Sequence, residues 1–546
     1  MTQKRDRSGG SDPSTSGPEP APAPERIDRR GFFRGAAILT VGGLGARPGR
    51  AQQDGPRAAN AAPASVEASQ QLASQTQRAQ RWAGRDPADW VRPRAEVDHN
   101  VVIVGGGQSG IAIAYGLRRK GVGRIDVIDQ AAPGQAGIWR TIARMHQLRT
   151  PKLLAGPEQD NPMLSFQAWY ETLNSASAFD ALDRIPRLAW ADYLDWFQEV
   201  TATTVRYGTR LLEIEPQGDL LRLHLDSEGV RHTETTRKLV LANGYAGAGG
   251  ANVPGFLRAL PTAFWTHTSS PIDFAALTGK VVAIVGAGSS AFDAAGVALE
   301  SGAAEVHMFN RRSYVDYPGG SRSSGPSDRG HANVLGMSYE LPDAVRWRNF
   351  VARDRSVASV PPDSLQRAVS HDAFRLHLES SLSDVEVTGG RVYARVGGEA
   401  WRFDHVIAGT GYRIDLSAQP ELSGIHESIA LWRDRYEPAS GEDNEAGAVH
   451  PYLGAGFEFL PRGRRGADYL RNIHCFNLSA ALSFGIPVGD IPSTRDHPRL
   501  VSAIARDLYR EGVDVAAHQR FISAPTLPAD PGPYERAIQR RASEAA

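Results

Sequence analysis

The chain has 546 residues, enough for two to four domains with sizeable cores. Its 61 Lys and Arg balance 61 Asp and Glu, so no overall basic field points to nucleic acid. The single cysteine, Cys475, excludes an internal disulfide and a C-x-x-C redox pair. No stretch carries the roughly 18 strongly apolar residues of a conventional membrane span.

Residues 1–25 are rich in Ser, Pro, Gly and Ala, lack apolar periodicity and are expected to be disordered. Asp28-Arg29-Arg30-Gly31-Phe32-Phe33-Arg34 follows, and then a mildly apolar run over 35–46. Paired arginines, paired phenylalanines and a glycine-softened apolar segment form the pattern of a twin-arginine export signal. The expectation is engagement of the twin-arginine export machinery, cleavage near Gly49-Arg50-Ala51 and a periplasmic protein. The alternative is a chance arginine pair in a cytoplasmic one. Residues 1–51 are assigned to this lead and 52–96 to a linker with a helix-compatible segment at 65–82.

The sequence NVVIVGGGQSG begins at Asn100. Residues 101–104 read as a buried parallel strand. Gly105, Gly107 and Gly110 keep G-x-G-x-x-G spacing, with Gln108 and Ser109 between. A helix over 111–120 and a strand over 125–128 follow, the strand ending at Asp129. Gly105 permits the tight turn, Gly107 admits a pyrophosphate to the backbone, and Gly110 lets the helix pack on the sheet. The helix start offers N–H groups to the phosphates, and Asp129 stands where an acid can accept from a ribose. Gly137 and Trp139 come next, a glycine that can approach a flavin and an aromatic that can shield it. The WADYLDWF segment at 190–197 reads as a helix packing its aromatics into a core. Residues 211–216 and 220–225 read as antiparallel strands, and 238–245 as a strand ending in a glycine turn.

A second fingerprint opens after a strand at 280–285. Gly286, Gly288, Ser289, Ser290 and Ala291 form G-x-G-x-x-A, followed by a helix over 291–301 and a strand over 306–309. Arg311 and Arg312 stand where the first unit has its acid. An acid repels a 2′-phosphate and an arginine forks onto it, so this site is expected to prefer NADPH over NADH. Residues 314–329 read as a long loop, with His331, Asn333, Trp347 and Arg348 as weak pocket candidates. Strands are expected in 385–396 and 401–403. Residues 403–415 repeat the strand-to-glycine pattern, ending at Gly411-Tyr412.

The architecture expected is α/β, with two three-layer Rossmann-like dinucleotide-binding domains, the second, NADP-binding one inserted into the first. The first is assigned to 97–245 and 403–510, the second to 246–402, and a tail to 511–546.

Taken together, Gly105 to Gly110 with Asp129, Gly137-x-Trp139, residues 148–152, Gly286 to Ala291 with Arg311, and Asp404 to Tyr412 make residues 98–510 resemble the class B flavoprotein monooxygenases, the flavin-containing and Baeyer–Villiger group. The resemblance implies FAD on the first fingerprint, NADPH on the second, and O2 as co-substrate, one oxygen atom entering a small organic substrate. The chain departs from the family in two places. The histidine of the usual Phe-x-Gly-x-x-x-His signature survives as His267, but its companions are Pro261, Ala263 and Pro271. Pro151 stands where an Asn often follows the threonine at 150. His267 therefore reads either as a catalytic residue or as a hinge or packing residue. Alternatives to oxygen transfer are an NAD(P)H oxidase or reductase and a non-catalytic nucleotide-binding redox protein; the lone cysteine disfavours a disulfide reductase. An exported enzyme would meet little NADPH, so the leader and the second fingerprint pull apart.

Export predicts that a tagged copy fractionates with the periplasm, and that replacing Arg29 and Arg30 by Lys holds it in the cytoplasm; cell fractionation checks this.

Overall fold

The computed structural model describes residues 63–82, 89–154, 156–317, 337–356, 359–463, 466–525 and 530–538. The leader with Arg29 and Arg30, and His331 and Asn333, lie outside the described residues. No helix among those described is long and apolar enough to cross a membrane.

Two sheets carry the molecule. In chain order, β1 (His99–Val104), β2 (Ile125–Ile128), β5 (Thr209–Gln217), β6 (Leu220–Ser227) and β7 (Val230–Leu241) belong to the first, and β3 (Gln147–Pro151) pairs with β4 (Arg184–Pro186) beside it. The second sheet takes β8 (Trp265–His267), β9 (Val281–Val285), β10 (Glu305–Phe309), β11 (Phe374–His377) and β15 (His405–Ala408). A three-stranded antiparallel sheet, β12 (Ser383–Thr388), β13 (Arg391–Val396) and β14 (Glu399–Phe403), lies between β11 and β15 in sequence, and β16 (Ile473–Cys475) returns to β7.

The first sheet runs β2-β1-β7-β6-β5. β7 is long enough to do two jobs. Its first half pairs antiparallel with β6, and residues Thr236 to Leu241 pair parallel with β1. β16 lies parallel on Leu239 to Leu241. Val101, Val102 and Ile103 are fully buried, as the unbroken β-branched run requires. Helix α2 (Gln108–Arg119) shares the core of this sheet with a late helix, His497–Glu511, through Ile113, Leu117, Ile504 and Leu508.

A separate aromatic cluster covers the outer side of α2. Ile111 and Tyr115 meet Phe166, Trp169, Trp190, Tyr193 and Phe197. The last three belong to α3 (Arg187–Val200), where apolar residues at i, i+3, i+4 and i+7 build one inward face. The Tyr193 hydroxyl donates to Leu164 O at 2.7 Å. Helix α1 (Pro63–Trp82) docks here through Leu72, and Thr76 Oγ1 donates to Met163 O.

The second sheet is parallel throughout, in the order β11-β10-β9-β15-β8. α4 (Ser289–Glu300) and α6 (Pro362–Val369) pack on one face through Phe292, Ala295 and Ala368. Val392, Ala394 and Phe403 of the three-stranded sheet cover the other, against Phe309 and Val406. The molecule is thus mixed α/β with two Rossmann-like sheets. Two details differ from the sequence reading. Residues 405–408 complete the second sheet instead of starting the returning segment, because their apolar run needs partners on both sides and finds β9 and β8. Helix α5 (Asp343–Arg355) leaves that sheet altogether: Trp347 and Val351 pack with Trp432 and Leu482. Trp347 is therefore a core residue, and Arg348 is exposed.

Ile103 lies between two parallel neighbours with no exposed surface. Ile103→Ala is expected to lower stability by about 2–5 kcal/mol, read from urea unfolding.

Candidate active site

Both fingerprints end their strands in turns that only glycine can make at that spacing. Gly105 leaves β1 with φ +113°, and a Cβ on it would stand 2.4 Å from Ala242 O. A Cβ on Gly110 would stand 1.8 Å from Gly105 O. Gly107 caps α2 and faces Gly137, with 3.4 Å from its ideal Cβ position to Gly137 Cα. No side chain caps α2, which leaves the first N–H groups of the helix for an anion. The Ser109 hydroxyl is buried in this first turn with no partner among the described residues.

Asp129 sits at the end of β2. Its Oδ2 accepts from Gly106 N at 2.7 Å and its Oδ1 from Ala131 N at 2.8 Å. The carboxylate therefore fixes the glycine turn and keeps lone pairs for a ribose hydroxyl. Gly106, Gly107, Gln108 and Trp139 line one cleft with Arg140, Leu194, Gln198 and Tyr207. The last four were not singled out from sequence. Those on α3 sit within a helix whose aromatic pattern speaks only of core packing. Arg140 bridges Asp192 and Asp195 at 2.8 and 2.5 Å. Gln108 accepts from Trp190 Nε1 and donates to Gly489 O, both at 3.3 Å.

The second cradle repeats the geometry. Gly286 turns with φ +101°, and its Cβ would stand 2.5 Å from Gly409 O. Ala291, in the third position, packs on Gly409. Gly288 caps α4 with no side-chain cap, and a Cβ on it would meet nothing within 4 Å. Ser289 Oγ donates to Ser359 O and Ser290 is exposed. Beyond β10, the Asn310 carboxamide holds the turn by accepting from Arg312 N and donating to Tyr314 O. Arg312 reaches Arg355 O at 3.2 Å. Arg311 is exposed and without a partner among the described residues, so of the two it is the one available to a ligand. Helix N–H groups with no side-chain cap at both turns, the orphan Ser109 hydroxyl at the first and the open space over Gly288 at the second fit a dinucleotide at each.

The strand exits of the two sheets meet. Gly244-Tyr245 follows β7 and Gly411-Tyr412 follows β15, both glycines with positive φ, and the tyrosine rings stand edge to face at 5.5 Å. Three arginines hold this junction. Arg144 donates to Thr268 O and Ser270 O at 2.6 and 2.7 Å; burial pulls its guanidinium down to about 10. Arg149 on β3 donates to buried Asp293 of α4 at 2.6 Å, and Ser364 Oγ donates to the other oxygen. Arg367 pairs with Glu300 and donates to Arg144 O.

His267 ends β8 and is buried. Its Nδ1 accepts from Ser269 N at 3.0 Å, its Nε2 is buried with no hydrogen-bond partner among the described residues, and its ring stands edge to face on Tyr412. Burial depresses its pKa, which favours the neutral ring. Both sequence readings of His267 stand: the ring packs on Tyr412, and its unpartnered nitrogen is left for a proton or a ligand. Cys475 is buried, with its thiol pushed up to about 12, so it is not a thiolate near neutral pH.

A family model described as FAD-NAD(P)-binding matches residues 102–246. The chain resembles the ornithine hydroxylase PvdA of Pseudomonas aeruginosa in fold, with TM-score 0.59 at 19% identity over 76% of this chain and all of that one. L-lysine 6-monooxygenase of Pseudomonas syringae aligns with TM-score 0.57 at 21% identity, over 76% of this chain and 99% of the other. The FAD-dependent urate hydroxylase of Xanthomonas campestris pv. campestris is 39% identical over 432 residues, 77% of this chain and 89% of that protein. The protein is an FAD-dependent flavoprotein monooxygenase, an oxidoreductase built on paired nucleotide-binding folds. Within that class the chain belongs to the family of the FAD-dependent urate hydroxylase.

Gly110 and Gly288 separate the cost of crowding protein from that of crowding a ligand. Gly110→Ala places a methyl inside Gly105 O and is expected to destabilise the fold by about 1–3 kcal/mol or more and to lose FAD. Gly288→Ala is expected to keep its melting temperature and FAD content while losing affinity for NADP+, read by calorimetric titration.

Proposed function

We propose that FAD occupies the Gly105–Gly110 cradle and NADPH the Gly286–Ala291 cradle, the second domain being inserted into the first, and that the protein hydroxylates urate or a closely related planar oxopurine. The observation that supports the reading is the meeting of the two strand exits at Tyr245 and Tyr412, where the ring ends of nucleotides on the two cradles would face each other. The substrate class rests on the urate hydroxylase relative. When bound, FAD supplies a ring that takes a hydride from the nicotinamide and passes electrons to O2, one oxygen atom going to substrate and the other to water.

The chain's own part is placement. Asp129 holds the first turn and accepts from a ribose, the free N–H groups of α2 and Ser109 receive the diphosphate, and Trp139 covers the cleft. On the second cradle, Arg311 forks onto the 2′-phosphate. The arginine pins and the aromatic cluster under α3 keep both cradles in register and water out of the junction. His267 supports the Tyr412 turn. Periplasmic location is proposed from the Arg29-Arg30 leader alone, and it requires a reductant supply on that side or cofactor loading before export.

Two outcomes are expected. Urate added with NADPH under labelled O2 yields product carrying one labelled oxygen atom, by mass spectrometry; hydrogen peroxide without labelled product would mark an oxidase instead. Arg311→Ala is expected to raise KM for NADPH about 10- to 100-fold, the loss of a charge-assisted phosphate contact, and to leave KM for NADH unchanged.

A further inference from the structure

A row of polar side chains runs from the first cradle to the helix of the second and crosses the junction between them. It starts at the first residue of α2. Gln108 Nε2 donates to Gly489 O at 3.3 Å, and a Cβ on Gly489 would stand 3.5 Å from Gly244 Cα. The next residue, Asp490, is largely buried; Tyr245 adjoins its turn, with Cδ1 3.8 Å from the Cβ position of Gly489, and the Asp490 Oδ1 accepts from Ser493 N at 3.2 Å. Tyr245 lies within electrostatic reach of both Asp490 and Arg149. Arg149 ends the row at Asp293, inside the second turn of α4.

The two ends of this row differ in a useful way. Arg149 uses one N–H group on Asp293, and its side chain is 36% exposed while that of Asp293 is 3% exposed. The salt bridge therefore aims a guanidinium whose remaining donors are accessible. Asp490 presents an acceptor. The segment leading to it is anchored: Arg346 donates to Ser483 O at 3.4 Å, Arg353 donates to Gly485 O, and Trp432 Nε1 donates to Ser483 Oγ at 3.3 Å. A cation at one end, an acid at the other and Tyr245 beside them match a flat ring that bears an anionic or carbonyl oxygen on one edge and N–H donors on another.

We propose that Arg149, Tyr245 and Asp490 form the substrate subsite, Arg149 taking the oxygen-bearing edge of an anionic oxopurine and Asp490 its ring N–H. This rests on the assignment of the two cradles and of a urate-like substrate. Burial pushes Asp490 up to about 6. The charged and titratable groups facing it are Tyr245 from the β7 exit and Arg495 from the following turn, and both favour its ionised form. The carboxylate is thus the form present above that pH, and it is the form that accepts an N–H.

The test is urate binding to the FAD-loaded protein without NADPH, followed by the change in the flavin's visible absorbance, with FAD content per chain measured for every variant. Arg149→Lys keeps a cation opposite Asp293 and loses the fork; it is expected to weaken urate about tenfold or more. Asp490→Asn is expected to weaken urate above pH 6 and not below it. The wild-type to variant affinity ratio, in which urate's own ionisation cancels, should rise about tenfold across that range. Benzoate, an aromatic anion without ring N–H groups, is expected not to distinguish Asp490→Asn from wild type. If Asp490→Asn fails to hold FAD, the Arg149→Lys arm decides. Urate binding unchanged in the FAD-loaded variants overturns the subsite while leaving the substrate reading intact. Wild-type protein that holds FAD but shows no urate binding removes the substrate reading and the subsite with it.

Discussion

The carbonyl oxygen of Gly105 occupies the space where a side chain on Gly110 would begin, and that contact sets the depth at which α2 meets its sheet. The same closeness recurs at Gly286 against Gly409. With any side chain there, the helix would stand off the strand and its N–H groups would no longer converge on one point. Asp129 then locks the first turn through two backbone N–H groups. The cradles are in this sense preformed by backbone packing, and a nucleotide has little ordering left to do.

In the proposed reading two such cradles exchange electrons, which needs their ring ends to face each other. The segments around that junction are held by side chains far apart in sequence. Arg144, Arg149 and Arg367 each join the segment between β2 and β4 to the second sheet or its helices. Arg149 carries the heaviest duty, because Asp293 is buried and would be left as an unpaired charge without it. Tyr245 and Tyr412 stand at the exits of strands from different sheets and touch there. The junction is thus polar at its edges and aromatic in its middle, a composition suited to a flat, oxygen-rich ring.

Much of this was legible in the residues. Strand runs such as 101–104 and 280–285, the glycine spacings and the aromatic face of α3 each follow from local rules, and the structure places them as read. The two strand-to-glycine exits were legible as a repeated pattern. What they do was not, because the meeting of Tyr245 with Tyr412 depends on how two sheets dock. Arg149 lay within a recognised stretch but gave no sign that its partner would be Asp293, 144 residues away. Asp490 follows a glycine in an irregular segment whose burial only the closed fold reveals. His267 was legible by its spacing, and the structure gives it both a packing contact on Tyr412 and an unpartnered buried nitrogen, so both readings of its role stand. The arginine pair after β10 also looked symmetrical in sequence, and the structure divides it, with Arg312 turned to Arg355 O and Arg311 left exposed.

The central claim is that the two cradles hold nucleotides whose rings exchange a hydride. The most direct measurement is anaerobic stopped-flow mixing of the FAD-loaded protein with NADPH, following the flavin's visible absorbance. The account predicts rapid bleaching whose rate saturates with NADPH concentration. A flavin that stays oxidised at every NADPH concentration would contradict it.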